Sequence, residues 1–254
     1  MKKRYRSLDI KNNVWATMIY FLLRFIVVFL LLGNLINGRY ENALVCFLTL
    51  VLFLMPFILE EKFNIEVPST LEIIILLFIF AAEILGEVHS FYQVINNWDN
   101  ILHTINGFIM GAIGFSFVNL LNNIPNIHMK LAPIFVVFVS FCFSMTIGVL
   151  WEFGEFACDM VMKTDAQKDT YISEIYSVTF DESNSNQVIK KDTSNVIVND
   201  EEWEGYLDIG LIDDMFVNLV GAIVFSIFGY FYLMNDKFKI VENFLIKKRG
   251  ECHG

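Results

Sequence analysis

The chain has 254 residues, 56% of them hydrophobic and only 18% charged, with a formal net charge of −10. That much apolar surface cannot close into one soluble core, which leaves a polytopic membrane protein. The acidic balance argues against nucleic acid as a partner, because a phosphate backbone calls for basic surface.

Apolar runs of about 20 residues, the length that crosses a bilayer, occur at roughly 14–36, 42–59, 70–91, 99–121, 133–160 and 211–234. The expected fold is all-α: a polytopic membrane protein of six transmembrane helices, with an acidic extracytoplasmic insert between helices five and six. Its parts are an N-terminal tail at 1–13, helices one to five within 14–162, the insert at 163–210, the sixth helix at 211–234 and a basic tail at 235–254. Lys2, Lys3, Arg4, Arg6 and Lys11 precede the first helix, and Lys237, Lys239, Lys247, Lys248 and Arg249 follow the last. Basic residues stay inside, so both termini are expected in the cytoplasm. The first run is too long for the apolar core of a signal peptide and lacks a small-residue cleavage site, so it reads as a retained anchor.

In the first helix Arg24 lies well inside the hydrocarbon and needs Glu72 as a partner or a snorkelling route. The second helix carries Pro56 near its inner end, where a lost backbone bond matters least. Ser69 and Glu72 have the spacing of a capping box at the start of the third helix, whose far end carries Glu83, Glu87 and His89. In the fourth, Asp99, His103 and Asn106 follow an i, i+4, i+7 row, beside a packing stripe of Gly107, Gly111 and Gly114. His128, in the loop that follows, reads as a solvated residue.

The fifth helix starts at Pro133 and ends in Trp151-Glu152-Phe153-Gly154-Glu155-Phe156-Ala157-Cys158-Asp159. At about 100° per residue Glu152, Glu155 and Asp159 share a face. Carboxylates there mark either a functional site or an ordinary helix exit into headgroup water. Residues 164–206 carry ten acids against Lys168, Lys190 and Lys191, a surface that offers itself to a protein partner. Alternation at Tyr171–Phe180 and Val188–Val198 predicts a small hairpin, with a disordered acidic loop as the alternative. The sixth helix opens with Asp213 and Asp214, and Asp214, Asn218 and Gly221 share a face. Cys46, Cys142, Cys158 and Cys252 have no CxxC spacing and form no disulfide or zinc framework.

Six alternating spans put the polar ends of helices three to six on one side of the membrane. Glu87, His103 and Asp214 then lie roughly 5–8 Å inside the interface. Carboxylates crowded with one imidazole repel unless protons or a cation intervene. The donor set favours Mg, Mn, Fe or Zn over copper. Asp99, His103, Glu155 and Asp214 are the candidate metal ligands, with Glu152 or Asp159 as general base on a bound water. Glu87, Asn106, Asp213 and Asn218 complete the polar site. Interhelical hydrogen bonding without any ion is the competing account.

Trp98-Asp99-x-x-x-His103, Trp151-Glu152-x-x-Glu155-Phe156-x-x-Asp159, Gln167, Gly210-Leu211-x-Asp213-x-Met215 and Gly221-Ala222 resemble the uncharacterised YjdF-type bacterial membrane proteins, and more faintly VanZ-like membrane proteins. The resemblance covers roughly 70–235 and implies a multi-spanning protein of the bacterial cytoplasmic membrane with no settled activity. The long insert at 168–205 departs from it. Three functions stay open: a metal-dependent hydrolase or transferase on envelope lipids or polar headgroups, a proton- or ion-coupled transporter using Glu87, Glu155 and Asp214, and a non-catalytic accessory or resistance protein.

Overall fold

The computed structural model describes residues 14–122, 131–162, 166–168, 170–172, 175–177, 189–191, 195–198, 201–204, 206–208, 211–235 and 238–249. The basic residues before the first helix, Lys237, His128 and Cys252 lie outside them. The chain divides into two compact units, Met1–Val149 with Asp214–Gly254, and Leu150–Asp213.

In chain order the elements begin with α1 (Val14–Ile36), α2 (Tyr40–Leu52), α3 (Met55–Phe63) and β1 (Ile65–Glu66). Next come α4 (Ser69–Ile79), a π-helical stretch (Phe80–Val88), the short α5 (Phe91–Val94), α6 (Trp98–Asn122) and α7 (Pro133–Met162). With α2 and α3 taken as one span, five helices among the described residues are long and apolar enough to cross a membrane: Thr17–Ile36, Tyr40–Phe63, Trp98–Asn122, Pro133–Met162 and Ile212–Met234.

The run at 70–91, expected as an ordinary span, is built differently. α4 passes through helical backbone at Ile79 and Phe80 into the π-helical stretch, which ends where the His89 N–H reaches the Ile84 carbonyl at 3.1 Å, an i→i+5 bond. Gly86 lies so close to the Tyr92 ring that a Cβ would overlap it. The capping box does not form either. Pro68, extended at φ −60° and ψ 142°, holds the cap position with no side-chain cap bond, so Ser69 is already helical.

For Arg24, expected to pair with Glu72 or to snorkel, the contacts among the described residues are to a backbone carbonyl and an aromatic ring. Its Nη2 donates to the Phe53 carbonyl at 3.0 Å, and its guanidinium lies 4.0 Å from the centre of the Tyr20 ring. Pro56 supplies the reason. It has no N–H, and the helix breaks at Phe53 and Leu54 before restarting with Pro56 in the first turn of α3. The break leaves the Phe53 carbonyl open to a donor from outside the helix, and Arg24 supplies one.

Among its described residues the larger unit has two apolar centres. Leu23, Val27, Cys46, Phe53, Leu76 and Ile84 join α1, α2, α4 and the π-helical stretch. Ile109, Phe115, Val136 and Phe225 centre a second cluster, which also takes in Val241, Leu245 and Ile246. Those last three come from the stretch after α8 (Leu211–Met234), which forms a 3₁₀ turn at Lys239–Phe244 and β8 (Lys247–Lys248), paired antiparallel with β1. Ser116 of α6 accepts the Ile246 N–H at 3.1 Å, and Arg249 meets Glu61 at 2.7 Å.

The unit Leu150–Asp213 contains the last turns of α7 and three antiparallel pairs. β2 (Thr170–Ile172) pairs with β7 (Tyr206–Asp208), β3 (Ile175–Ser177) with β4 (Ile189–Lys191), and β5 (Asn195–Val198) with β6 (Glu201–Glu204). The β3–β4 pair joins the two alternating stretches from which a hairpin is predicted.

Candidate metal centre

The N-terminal ends of α6 and α8 bring three side chains together. Asp99 and His103 are one turn apart on α6, and His103 Nε2 lies 3.6 Å from Asp99 Oδ1. Asp214 enters from α8, and one ligand atom from each of Asp99, His103 and Asp214 lies within 4.8 Å of the other two. His103 and Asp214 are only 5% and 4% exposed, whereas the preceding residue, Asp213, is turned outward and exposed. These acidic and imidazole groups could hold a metal. Two ligands about 2.0–2.2 Å from one ion stand about 3–3.5 Å apart at neighbouring positions, so small side-chain rotations close the set. Two carboxylates and a neutral imidazole would balance a doubly charged cation.

Below this trio the helices approach unusually closely. Gly107 of α6 faces the Asn218 carbonyl, and Gly221 of α8 faces the Thr104 carbonyl, each so near that a Cβ would overlap it. That approach lets Asn106 donate to Asn218 Oδ1 at 3.2 Å, while Asn218 Nδ2 points to Met145 Sδ at 3.7 Å. Asn218 is fully buried. On the far side of this amide pair come Phe108, Phe115, Phe225 and Phe244, packed edge to face with centroids 5.2–6.4 Å apart.

The sequence reading missed how α7 is fixed to α6. Ser140 donates to the Gly111 carbonyl at 2.7 Å and Ser144 to the Gly107 carbonyl at 2.8 Å, and Gly148 admits Asn218. The signal was present as small residues at i, i+4 and i+8 in an otherwise bulky helix, the pattern of close helix packing in membranes.

Glu87 is exposed on the π-helical stretch. Within the unit Leu150–Asp213, Glu152 is 1% exposed. Glu155 accepts the Trp151 indole N–H at 2.7 Å. Asp159 takes the backbone N–H groups of Ala166 and Gln167 at 2.6 and 3.0 Å, so its carboxylate ties these two residues back to α7.

Membrane-length helices holding a polar cluster at their ends define a multi-pass membrane protein. The chain belongs to the family of predicted membrane proteins DUF2238, whose model matches residues 18–235. An uncharacterised protein of Thermotoga maritima is 26% identical over 107 residues, which is 42% of this chain and 53% of that relative. The chain therefore aligns with about half the length of that relative. No solved structure matches.

Proposed function

We propose that the protein binds a divalent cation at Asp99, His103 and Asp214 and presents it to water at the outer face of the bacterial cytoplasmic membrane. The observation that supports this most is the burial of an imidazole between two carboxylates whose ligand atoms lie within 4.8 Å. Helix N-termini stabilise carboxylates, which accounts for acids at these positions but not for the histidine between them. In this reading Ser69–Val88 is the sixth crossing and both termini are cytoplasmic, as the flanking basic residues favour.

A cation so placed would polarise a phosphoryl or carbonyl oxygen of an envelope lipid or polar headgroup and lower the pKa of a bound water. The chain's own part is to fix the ligands on two helices locked by Gly107 and Gly221. Asp159 is occupied by two backbone donors, which leaves it holding Ala166 and Gln167 rather than moving a proton. The acidic segment 164–206 is then a surface for a protein partner. The aromatic packing beyond Asn218 favours a one-sided site over a path through the membrane, and so an enzyme or binding protein over a carrier.

The test is elemental analysis of protein purified without chelator, for wild type, His103→Ala and Asp214→Asn. The reading expects about one divalent ion per chain in wild type and less than a tenth in either variant. Equal metal in all three, or none in wild type after metal-replete growth, would contradict it.

A further inference from the structure

The two helices that carry Asp99, His103 and Asp214 at one end are tied together again at the other, by the stretch that follows α8. α8 runs about 30 Å from Asp214 to Met234. The chain then doubles back to α6 and meets it at Ser116, about 20 Å along the axis from His103. There the buried Ser116 hydroxyl accepts the Ile246 N–H and donates to the Ala112 carbonyl at 2.7 Å, and the Phe244 carbonyl lies 3.4 Å from the same oxygen.

Phe244 reaches further. Its ring packs edge to face on Phe108 of α6 and Phe225 of α8, with centroids 5.4 and 6.4 Å away. Both belong to the seam where α6 and α8 touch, since Gly221 lies against the Phe108 nitrogen as well as the Thr104 carbonyl, and Gly111 against the Phe225 side chain. The Asn106–Asn218 bond comes next, and then His103 and Asp214. Phe108 is only about 7–8 Å along α6 from His103. A packed column therefore runs from this strap to the trio, and close-packed interiors transmit a displacement rather than absorb it.

The strap is held by few contacts for such a position. Lys239, Ile240, Glu242, Asn243 and Lys248 are exposed, its ribbon with β1 is two residues long, and the Arg249–Glu61 pair is a surface pair of little strength. Segments with few buried contacts are the ones that open locally.

We propose that residues 239–248 form a regulatory strap for the cation site, acting from the far end of the same helices. Docked, with Phe244 against Phe108 and Phe225, it fixes the register of α6 and α8 at which Asp99, His103 and Asp214 share one ion. Released, it lets α8 shift against α6, and affinity falls. Phe244 is a positioning residue in this device, acting through Phe108 and Phe225. The inference rests on the cation reading above.

The test titrates metal-stripped, full-length protein in nanodiscs with Zn²⁺ by calorimetry, the binding that His103→Ala removes being that of the site. Phe244→Ala should weaken this binding about five- to tenfold, the low end of couplings between distant sites, and Phe244→Leu should recover most of it. Coupling is reciprocal, so Zn²⁺ should slow hydrogen exchange of residues 239–248 in wild type and not in His103→Ala. Melting temperatures show which variants fold, and if Phe244→Ala does not, Ser116→Ala, which removes the acceptor of the Ile246 N–H, is read in its place. Wild type that binds no more Zn²⁺ than His103→Ala overturns the site itself, and the strap's role with it. A site present in wild type, with equal affinity in the strap variant or with strap exchange unchanged by Zn²⁺, overturns the regulation and leaves the site standing.

Discussion

Asn106 of α6 donates its side-chain amide to Asn218 of α8 at 3.2 Å, across 112 residues of sequence. The bond closes the bottom of the polar cluster and joins the two helices that carry Asp99, His103 and Asp214. Interhelical bonds of this kind average roughly 0.6 kcal/mol in membranes, with a maximum near 1.7. A double-mutant cycle of Asn106→Leu and Asn218→Leu should give a coupling of about 0.5–1.5 kcal/mol in detergent unfolding. Strict additivity would mean that the two amides do not interact.

The close contact of α6 and α8 predicts a contrast between glycines. Gly107→Ala and Gly221→Ala drive a methyl into a facing carbonyl and should each lose about 1–3 kcal/mol, the usual range for overpacking. Gly33 of α1 has nothing within 4 Å of its would-be Cβ, so Gly33→Ala should be neutral or slightly stabilising. Thermal unfolding in detergent compares them.

Arg24 and Pro56 should be energetically linked, because the proline breaks the helix whose Phe53 carbonyl Arg24 satisfies. Arg24→Leu should destabilise more than Arg24→Lys, which keeps a donor and a charge. In a Pro56→Ala background the loss from Arg24→Leu should shrink by about 1 kcal/mol, the net worth of one hydrogen bond. An unchanged loss in that background would show that the carbonyl is not what holds Arg24.

The stretch after α8 behaves as part of the bundle, with Val241, Leu245 and Ile246 buried in its core. Ile246→Asp should lower the melting temperature strongly, since it puts an unpaired charge among apolar side chains. Arg249→Ala should change stability by less than about 1 kcal/mol, because its partner Glu61 is half exposed. A larger loss for Arg249→Ala than for Ile246→Asp would reverse this ranking.

Helix ends were the most legible part of the fold, since runs of about 20 apolar residues announce themselves and Pro133 and Met234 bound α7 and α8 as read. The meeting of Asp99 with His103 follows from i, i+4 spacing, and their approach to Asp214 from the alternation of spans. The π-helical turn at Phe80–Val88 was not legible, because an i→i+5 bond leaves no residue pattern distinct from i→i+4. The Phe53 carbonyl was not legible as an acceptor for Arg24, for which the sequence suggested Glu72 or a snorkelling route. A carbonyl freed by a proline is an equal acceptor in hydrocarbon. Val241, Leu245 and Ile246 were lost among the lysines of a segment read as a tail.

Reporters at the N-terminus, at Asn186 and at the C-terminus test the proposed topology. Opposite sides, with the C-terminus and N-terminus both cytoplasmic, require an even number of crossings and so make Ser69–Val88 a span. Termini on opposite sides would leave five.

The most direct measurement of the proposed centre is anomalous scattering from crystals of metal-replete protein, collected above and below the absorption edge of the bound element. The account predicts one peak about 2.0–2.6 Å from a carboxylate oxygen of Asp99, a carboxylate oxygen of Asp214 and an imidazole nitrogen of His103. That peak should be absent from crystals of His103→Ala. No peak among these three side chains in metal-replete wild type, with the carboxylates and imidazole bonded to each other or to water, would contradict it.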